Sequence, residues 1–490
     1  MTMKLTLATL AAVAMSAAVR AELATADFTK DVGRVRPEMH SSGFGPTICS
    51  QTRQDLADVK AMGFKAARTH DWALVNSNQR VCDWHHMFPL PHLDAKDPRN
   101  YVFKPTDHLL KRTREEAGLE IFYRLGTSIE HSGKTVHFNS LIPEDFDKVA
   151  EVFAGTVRHY NRGWADGFKW DIRYWEIWNE PDEANTMFCL PEGDEGGGKD
   201  AIRRAKFVEL FVKCLKRLKG EFGDSIKVGG PALCVVSPMQ IAYFRELFKA
   251  CREAGVAPDF ISWHGYLNDP LRFNREADVM RKVCDECGFE KCELIVDEWH
   301  YFSGKDYTWE EMTDCPDPAD RARVWEGPDS HCGTRSAAFT LATLANLQSS
   351  KLSQAFFYGC GNAGLWGFKD ALQKKYKIFY ALKLFGDIVR GYTTRCACTS
   401  AGTVTPFAVR DAKGRKALLV ADYGGTDRRI EVAVKGVDTT KKPKALILDH
   451  THDLVPFASE QAADRICFEN GKLVIWKPDS HSASFFVTFD

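Results

Sequence analysis

After residue 21 the chain has no run of about 18 consecutive apolar residues, the length that a membrane-spanning helix needs. It also lacks an excess of charge of one sign, because 65 lysines and arginines stand against 66 acidic residues. A nearly neutral chain has no global field that attracts nucleic acid or an anionic membrane. We therefore expect a soluble mature protein with no nucleic-acid partner, and with no membrane partner once the N-terminal segment is removed.

Low-complexity linkers and internal repeats are absent as well, apart from an alternation of strand-like and helix-like segments. Flexible linkers rich in glycine, serine or proline separate domains that move independently. Their absence indicates that the parts of this 490-residue chain pack together. The length accommodates one barrel domain of about 250 residues or more and a smaller second domain.

The first 21 residues, MTMKLTLATLAAVAMSAAVRA, have the composition of an export signal. They carry an early lysine, an alanine-rich apolar run and a small residue at Ala21. This pattern predicts a signal peptide over residues 1–21 that is cleaved near Ala21. The predicted localisation is therefore secreted or periplasmic.

Fifteen cysteines are many for this chain, and export permits disulfides. Cys284, Cys287 and Cys292 come closest to a metal-binding pattern, but no fourth ligand lies nearby in the sequence. The histidine-rich stretch DWHH at 83–86 could also suggest a metal site, but its histidines are expected to make hydrogen bonds. We predict no metal and no other cofactor, and assign the cysteines to apolar packing or disulfides.

Eight short apolar runs rich in β-branched and aromatic residues alternate with amphipathic stretches over most of the chain. Such alternation is typical of a (β/α)₈ TIM barrel, which we predict over residues 22–393. The predicted strands span 38–45, 64–70, 120–126, 174–180, 226–233, 260–266, 293–300 and 354–360. The predicted helices span 51–62, 145–160, 200–220, 238–254, 273–286, 335–349 and 376–390.

From residue 394 the sequence pattern changes to short strand-like runs separated by turns such as ENGK, with no helical period. This pattern predicts an antiparallel β-sandwich domain over residues 394–490. The predicted fold class is therefore α/β, a TIM barrel with a C-terminal β-sandwich.

Polar residues close several predicted barrel strands, and reactive groups of such barrels come from the C-terminal ends of strands. They are Arg68, His70, Asn179, Glu180, His264, Tyr266 and Glu298.

Glu180 and Glu298 end the fourth and seventh predicted strands, which face each other across the barrel mouth. A carboxylate that follows an apolar strand costs free energy unless it is paired or protonated. One such glutamate alone is more often a structural cap or a solvated charge. Cleavage of a glycosidic bond, however, requires one carboxylic acid and one carboxylate on opposite sides of the anomeric carbon. The pair, with Asn179 and Pro181 beside the first glutamate and Trp299 after the second, favours this chemistry.

WEIWNEPD, which contains Glu180, resembles the acid/base motif of the retaining (β/α)₈ glycosidases of clan A. Four further stretches resemble glycoside hydrolase family 39, which contains β-xylosidases and α-L-iduronidases. They are AARTHDW (66–72), DPRNYVFKPTDHLL (97–110), DFISWHGY (259–266) and LIVDEWHYF (294–302). The resemblance runs in order from about residue 35 to 390, and a β-sandwich after the barrel is usual in that family.

The resemblance implies that Glu180 is the general acid/base and Glu298 the nucleophile of a retaining mechanism. It also implies that Asn179 binds the sugar 2-hydroxyl and that His264 and Tyr266 border the nucleophile. A retaining mechanism predicts a separation of about 5 to 5.5 Å between the two carboxyl groups.

Arg68 is expected beside Glu298, which it would keep ionised, or in a salt bridge to Glu176, and both contacts can coexist. His70 is assigned to substrate binding, and the aromatic candidates for sugar stacking are Trp299 and Trp366, ahead of Trp72, Trp84 and Trp263.

Two departures from the family pattern leave the sugar specificity open. Asp297 stands where the family more often has a small hydroxyl residue, and Cys82, His85 and His86 occupy the loop after the second strand. The predicted partner is a carbohydrate, and the oligomeric state is not assigned. Two alternatives to a family 39 enzyme are an endo-acting glucanase or mannanase of the same clan and a carbohydrate-binding barrel without turnover.

Overall fold

The computed structural model of the chain describes residues 23–43, 53–70, 81–128, 141–183, 187–190, 199–304, 308, 322–359, 366–370, 372–457 and 465–489. The predicted signal segment and Trp72 lie outside these residues. Among the helices of the described ranges, none is both long enough and apolar enough to cross a bilayer.

Eight parallel strands form a closed barrel in which each strand pairs with the next and the last pairs with the first. A strand of the other sheet, β1 (Ala24–Arg34), precedes them. The barrel strands are β2 (Ser41–Gly43), β3 (Ala66–Arg68), β4 (Glu120–Leu125), β5 (Tyr174–Ile177), β6 (Lys227–Leu233), β7 (Phe260–Leu267), β8 (Glu293–Tyr301) and β9 (Gln354–Tyr358). All eight predicted strands are confirmed, which confirms the TIM barrel.

Helices lie between the strands and cover the barrel. They are α1 (Arg53–Met62), α2 (Trp84–Met87), α3 (Lys104–Lys111), α4 (Phe146–Arg162), α5 (Lys199–Phe222), α6 (Pro238–Glu253), α7 (Arg272–Glu286), α8 (Thr334–Leu347) and α9 (Lys377–Gly391). Every predicted helix is present within a few residues, whereas α2 and α3 were not predicted. Capping residues explain the bounds of α4. The Asp145 carboxylate accepts a hydrogen bond from the Lys148 N–H at its start, and Gly163, with a φ of 74°, ends it.

The remaining strands form a second, ten-stranded sheet that includes β1. They are β10 (Thr394–Thr399), β11 (Val404–Arg410), β12 (Lys416–Asp422), β13 (Arg429–Lys435), β14 (Lys444–Leu448), β15 (Asp453–Pro456), β16 (Ile466–Glu469), β17 (Lys472–Trp476) and β18 (Ala483–Phe489). Their order is β15-β14-β18-β12-β11-β10-β1-β13-β17-β16. Only the β1–β13 pair among these neighbours is parallel.

The position of β1 corrects the predicted division, which assigned residues 22–393 to the barrel. This strand pairs with β10 and β13, and its Ala24, Ala26 and Phe28 side chains enter the core of the sheet. Alternate burial on one face is the mark of a strand with one covered side. This strand was not predicted, because ATADFTKD has few β-branched residues and no long apolar run.

The second sheet has two buried faces, and one of them joins it to the barrel. Leu418 and Val420 of β12 point into the core of the sheet, whereas Leu419 between them belongs to the main core of the barrel. The Phe407 ring likewise packs 5.9 Å from the Phe385 ring of α9. Successive side chains of a strand point to opposite faces, so one strand serves both cores. The two domains therefore pack together, as expected from the absence of a linker.

Cysteines in the described ranges are all free thiols. Cys284, Cys287 and Cys292 are buried among apolar side chains of the main core. They serve the apolar packing that the sequence suggested.

A buried ion pair inside the second sheet gives the first prediction. The Lys477 ammonium donates to the Asp422 carboxylate at 2.6 Å and to the carbonyls of Gly425 and His481. Both side chains are almost fully buried. Lys477→Met leaves the Asp422 charge without this partner, so we expect the free energy of unfolding to fall by about 3 to 5 kcal/mol.

The measurement is urea unfolding followed by circular dichroism. The matched control is Lys472→Met, which removes a partly exposed pair with Glu431 and should cost less than about 1 kcal/mol. Equal losses in the two variants would contradict the prediction.

Candidate active site

The polar strand ends predicted from the sequence meet at one mouth of the barrel. Arg68 and His70 come from the end of β3, Asn179 and Glu180 follow β5, His264 and Tyr266 lie on β7, and Glu298 lies on β8. Hydrogen bonds and charge contacts join all seven residues into one network. This is the end of a TIM barrel at which catalytic groups are found.

The backbone of the segment that carries Glu180 is strained, and hydrogen bonds to neighbouring strands hold it in place. Trp178 and Glu180 have φ angles of 74° and 44°, a region that non-glycine residues rarely adopt. The Glu180 N–H donates to the Ala232 carbonyl, and the Trp178 N–H donates to the Leu125 carbonyl. Gly126 has a φ of 140°, a conformation that L side chains rarely adopt, and a Cβ there would make a tight contact of 3.1 Å with the Trp178 Cα. Neighbouring strands therefore fix the direction of the Glu180 side chain.

The two candidate catalytic carboxylates lie side by side. One oxygen of Glu180 and one of Glu298 lie within 4.8 Å of each other, and His264 Nδ1 lies in the same group. His264 Nδ1 is 2.8 Å from Glu180 Oε1 and 3.5 Å from Glu298 Oε2. The Glu180 side chain keeps 16% of its surface exposed, whereas that of Glu298 keeps 4%. Glu180 therefore faces the open side of the site, and Glu298 lies below it.

Positive groups and hydrogen-bond donors surround Glu298. Arg68 Nη1 donates to Oε1 at 2.8 Å, His70 Nε2 lies 2.6 Å from the same oxygen, and the Tyr266 hydroxyl donates to Oε2 at 2.8 Å. Burial alone would raise the pKa of Glu298, but the charges of His264, His70 and Arg68 hold that pKa well below its usual range. Glu298 is therefore ionised and oriented, as a nucleophile must be.

The Arg68 guanidinium binds four oxygen-bearing side chains at once. Its Nε donates to Glu176 at 2.6 Å, its Nη2 donates to Asn179 Oδ1 at 2.7 Å and lies 3.0 Å from Asp297, and its Nη1 binds Glu298. Both contacts expected for Arg68 are therefore present. Burial raises the pKa of Glu176 despite the opposing charge of Arg68, and Ser262 donates to the second Glu176 oxygen.

Asn179 is poised to donate a hydrogen bond into the site. Its side chain is fully buried and its Oδ1 accepts from Arg68. Its Nδ2 has no hydrogen-bond partner among the described residues. A buried donor without a partner is costly, so a ligand hydroxyl at this point would recover free energy. This is the arrangement that binding of a sugar hydroxyl requires.

Aromatic rings form one wall of the site around Trp366. The Trp366 ring lies 5.1 Å from Tyr266, 5.6 Å from Tyr358 and 5.3 Å from His300. The assignment of Trp366 to the site is thus consistent with its position. Flat rings of this kind pack against the C–H faces of sugars.

Trp299 is a correction, because it lies outside the site. Its ring is fully buried and packs 6.0 Å from Phe273 of α7 and 5.1 Å from Phe357. Trp299 follows Glu298 in β8, and successive side chains of a strand point to opposite faces. When Glu298 faces the barrel interior, Trp299 faces the helices.

Sequence reasoning missed Tyr358, His300 and His331. Tyr358 ends β9, and its ring lies 5.1 Å from His70. His300 shares the strand parity of Glu298 and stacks on His331 at 4.5 Å. The strand-end position of Tyr358 and the strand parity of His300 could have identified these two residues. His331 lies in a loop, where neither signal exists.

Two groups of side chains in the described ranges bring three donor atoms close enough to hold a cation, within 4.8 Å of one another. One is Glu180, His264 and Glu298, and the other is Asp83, His85 and His86. The carboxylates of the first group already bind His264, Tyr266 and Arg68. Asp83 of the second group accepts hydrogen bonds from the Ser128 N–H and hydroxyl. The absence of a metal stays a prediction.

Comparison with known proteins gives relatives at low identity. No family model matches the chain. A β-xylosidase from Caldicellulosiruptor saccharolyticus is 25% identical over 230 residues, which are 44% of this chain and 39% of that protein. The match thus spans about two fifths of the relative's length.

Solved structures match nearly the whole chain. A glucosidase from Croceicoccus marinus has a TM-score of 0.68 at 18% identity, with 96% of this chain and 99% of the other covered. A family 39 glycoside hydrolase from the gut symbiont Bacteroides cellulosilyticus WH2 has a TM-score of 0.56 at 13% identity, with 93% and 81% covered. These likenesses show that the chain has the fold of solved glycoside hydrolases, a TIM barrel with an attached β domain.

The contacts of Arg68 predict a large loss of stability when its charge is removed. Arg68→Met leaves Glu176, Asp297 and Glu298 buried without their shared cation, so we expect the free energy of unfolding to fall by about 3 to 5 kcal/mol. The stability of Arg68→Lys should lie between those of the wild type and Arg68→Met, because an ammonium keeps the charge but cannot reach all four partners.

Urea unfolding at pH 7 measures both variants. Arg275→Met, which removes an exposed pair with Asp269, is the matched control and should cost less than about 1 kcal/mol. A loss in Arg68→Met no larger than in this control would refute the role of Arg68.

Proposed function

We propose that the protein is a retaining glycosidase that uses Glu180 as general acid/base and Glu298 as nucleophile. The observation that carries the proposal is the approach of the two carboxylates within 4.8 Å at the barrel mouth. Retaining glycosidases hold their carboxyl groups about 5 to 5.5 Å apart, whereas inverting enzymes need about 6.5 to 9.5 Å to admit a water molecule. The spacing therefore favours double displacement.

In the first step the ionised Glu298 attacks the anomeric carbon. A bond forms between a Glu298 oxygen and this carbon while the bond to the leaving oxygen breaks, and Glu180 gives its proton to that oxygen. The low pKa of Glu298 provides the charged nucleophile. The hydrogen bond from Tyr266 and the contacts of Arg68 and His70 fix its direction.

In the second step a water molecule replaces the departed group. Glu180 takes a proton from the water, the water oxygen bonds to the anomeric carbon, and the ester bond to Glu298 breaks. The ester carries no negative charge, so the repulsion between Glu298 and Glu180 is lost and Glu180 can act as a base. Two inversions restore the starting anomeric configuration.

The proposed substrate is a neutral glycan with a xylose or glucose unit at the reacting position. A β-xylosidase is among the sequence relatives and a glucosidase among the structural ones. The Asn179 Nδ2 is placed for a sugar hydroxyl, and Trp366 provides an aromatic surface. The N-terminal sequence supports a secreted or periplasmic location, which we also propose.

The anomeric configuration of the first-formed product tests the proposal. Aryl β-xylosides and β-glucosides, together with xylo- and gluco-oligosaccharides, are incubated with the enzyme and followed by proton NMR. We expect the first sugar released to keep the β configuration. Release of the α anomer first would overturn double displacement. Sugar binding without turnover across the panel would instead favour a carbohydrate-binding barrel.

Variants of Glu180 and Glu298 test the role of each carboxylate in the same assay. Glu180→Gln should lose about 10² to 10⁴ in rate, the usual contribution of a general acid. Glu298→Gln should lose at least as much, because no nucleophile remains. Glu293→Gln is the matched control, since it starts β8 and pairs with Lys227 away from the site. It should keep its turnover.

A further inference from the structure

The side chain of Asp297 enters the barrel interior because of a bulge in β8. Trp263 pairs with Val296, but the next residue, His264, pairs with Glu298, so Asp297 is the extra residue. A bulge inserts one residue and re-aims the side chains beside it. Asp297 and Glu298 therefore both reach the site, although neighbours in a regular strand would point to opposite faces.

Asp297 lies behind His264, on the side away from Glu180. Its Oδ2 is 3.4 Å from His264 Nε2 and 3.0 Å from Arg68 Nη2. The other nitrogen of His264, Nδ1, is 2.8 Å from Glu180 Oε1. Asp297 and His264 have no exposed surface. The imidazole thus lies between a buried carboxylate, which it meets in a charge contact, and the candidate acid/base, to which it is hydrogen-bonded.

The charges around His264 favour its doubly protonated form. Asp297 and Glu298 face it from β8, Glu180 faces it from the segment after β5, and Tyr266 lies on its own strand. Arg68, at the end of β3, contacts Asp297 and Glu298 and also Glu176 on β5. His70, which follows β3, contacts Glu298. Burial lowers the pKa of His264, but Glu298, Asp297 and Glu180 outweigh it and hold that pKa well above its usual range.

The protonation state of His264 decides which hydrogen bond Glu180 receives. A neutral imidazole has one N–H, and a carboxylate beside Nε2 would draw that proton to Nε2. Nδ1 would then accept a hydrogen bond from the Glu180 carboxylic acid. The proton that the leaving group needs would be engaged in that hydrogen bond. A doubly protonated imidazole instead donates from Nδ1 to Oε1, which leaves Oε2 to carry the catalytic proton.

We propose that Asp297 is a positioning residue that keeps His264 doubly protonated, so that His264 always donates to Glu180 and directs the catalytic proton to its other oxygen. The inference rests on the proposed function, in which Glu180 is the acid/base. It gives a role to the buried aspartate at position 297.

The direct test is the nitrogen NMR spectrum of histidine side chains in the full-length protein, recorded against pH. The His264 signals are assigned with His264→Gln. In the wild type we expect both nitrogens to stay protonated through neutral pH. In Asp297→Asn and Asp297→Ser we expect deprotonation of His264 to shift down by about one to three pH units. This readout needs no turnover, so it holds even where the proposed function fails.

The kinetic test is the pH profile of kcat/KM. The basic limb should move to lower pH in both Asp297 variants, while a merely structural role would lower the rate at every pH. Asp449→Asn, another fully buried aspartate, is the control and should leave the limb in place. An unchanged His264 titration in both Asp297 variants would overturn the inference. Absence of hydrolysis by the wild type, with a shifted titration, would overturn only the proposed function.

Discussion

The Arg68 guanidinium is the interaction on which the site depends. Glu176, Asp297 and Glu298 are buried at the mouth of the barrel, and burial of unpaired charge costs several kcal/mol per ion. A planar guanidinium offers five N–H donors in a fixed fork, so one residue can bind side chains from several strands. Arg68 does so for partners on β5, after β5 and on β8. Without it the carboxylates would have to be protonated or absent.

The same network gives the two candidate catalytic carboxylates different surroundings. Glu298 receives the positive charge of Arg68, His70 and His264, so it is ionised in the resting protein. Glu180 binds only His264 among these and faces the open side of the site. Strained backbone at Trp178 and Glu180 and the bulge at Asp297 bring the groups together. Local distortions of this kind cost stability and are found where function requires a fixed geometry.

Most barrel strands were predictable because they are short apolar runs, and the catalytic candidates followed from the polar residues that end several of them. Two features were not. The pairing of β1 with the second sheet depends on long-range partners, β10 and β13, that its own sequence does not specify. The bulge that turns Asp297 inward has no signal in the residues themselves. Trp299 was misassigned because adjacency to Glu298 in sequence means the opposite face in a strand.

The central claim is that Glu298 forms a covalent bond to the sugar. A 2-deoxy-2-fluoroglycoside with a good leaving group slows hydrolysis of that ester, and mass spectrometry of the digested protein locates the label. We predict one sugar per chain, attached to Glu298 within LIVDEWHYF. A label on Asp297, on Glu180 or elsewhere, in a preparation that hydrolyses the matching glycoside, would contradict it.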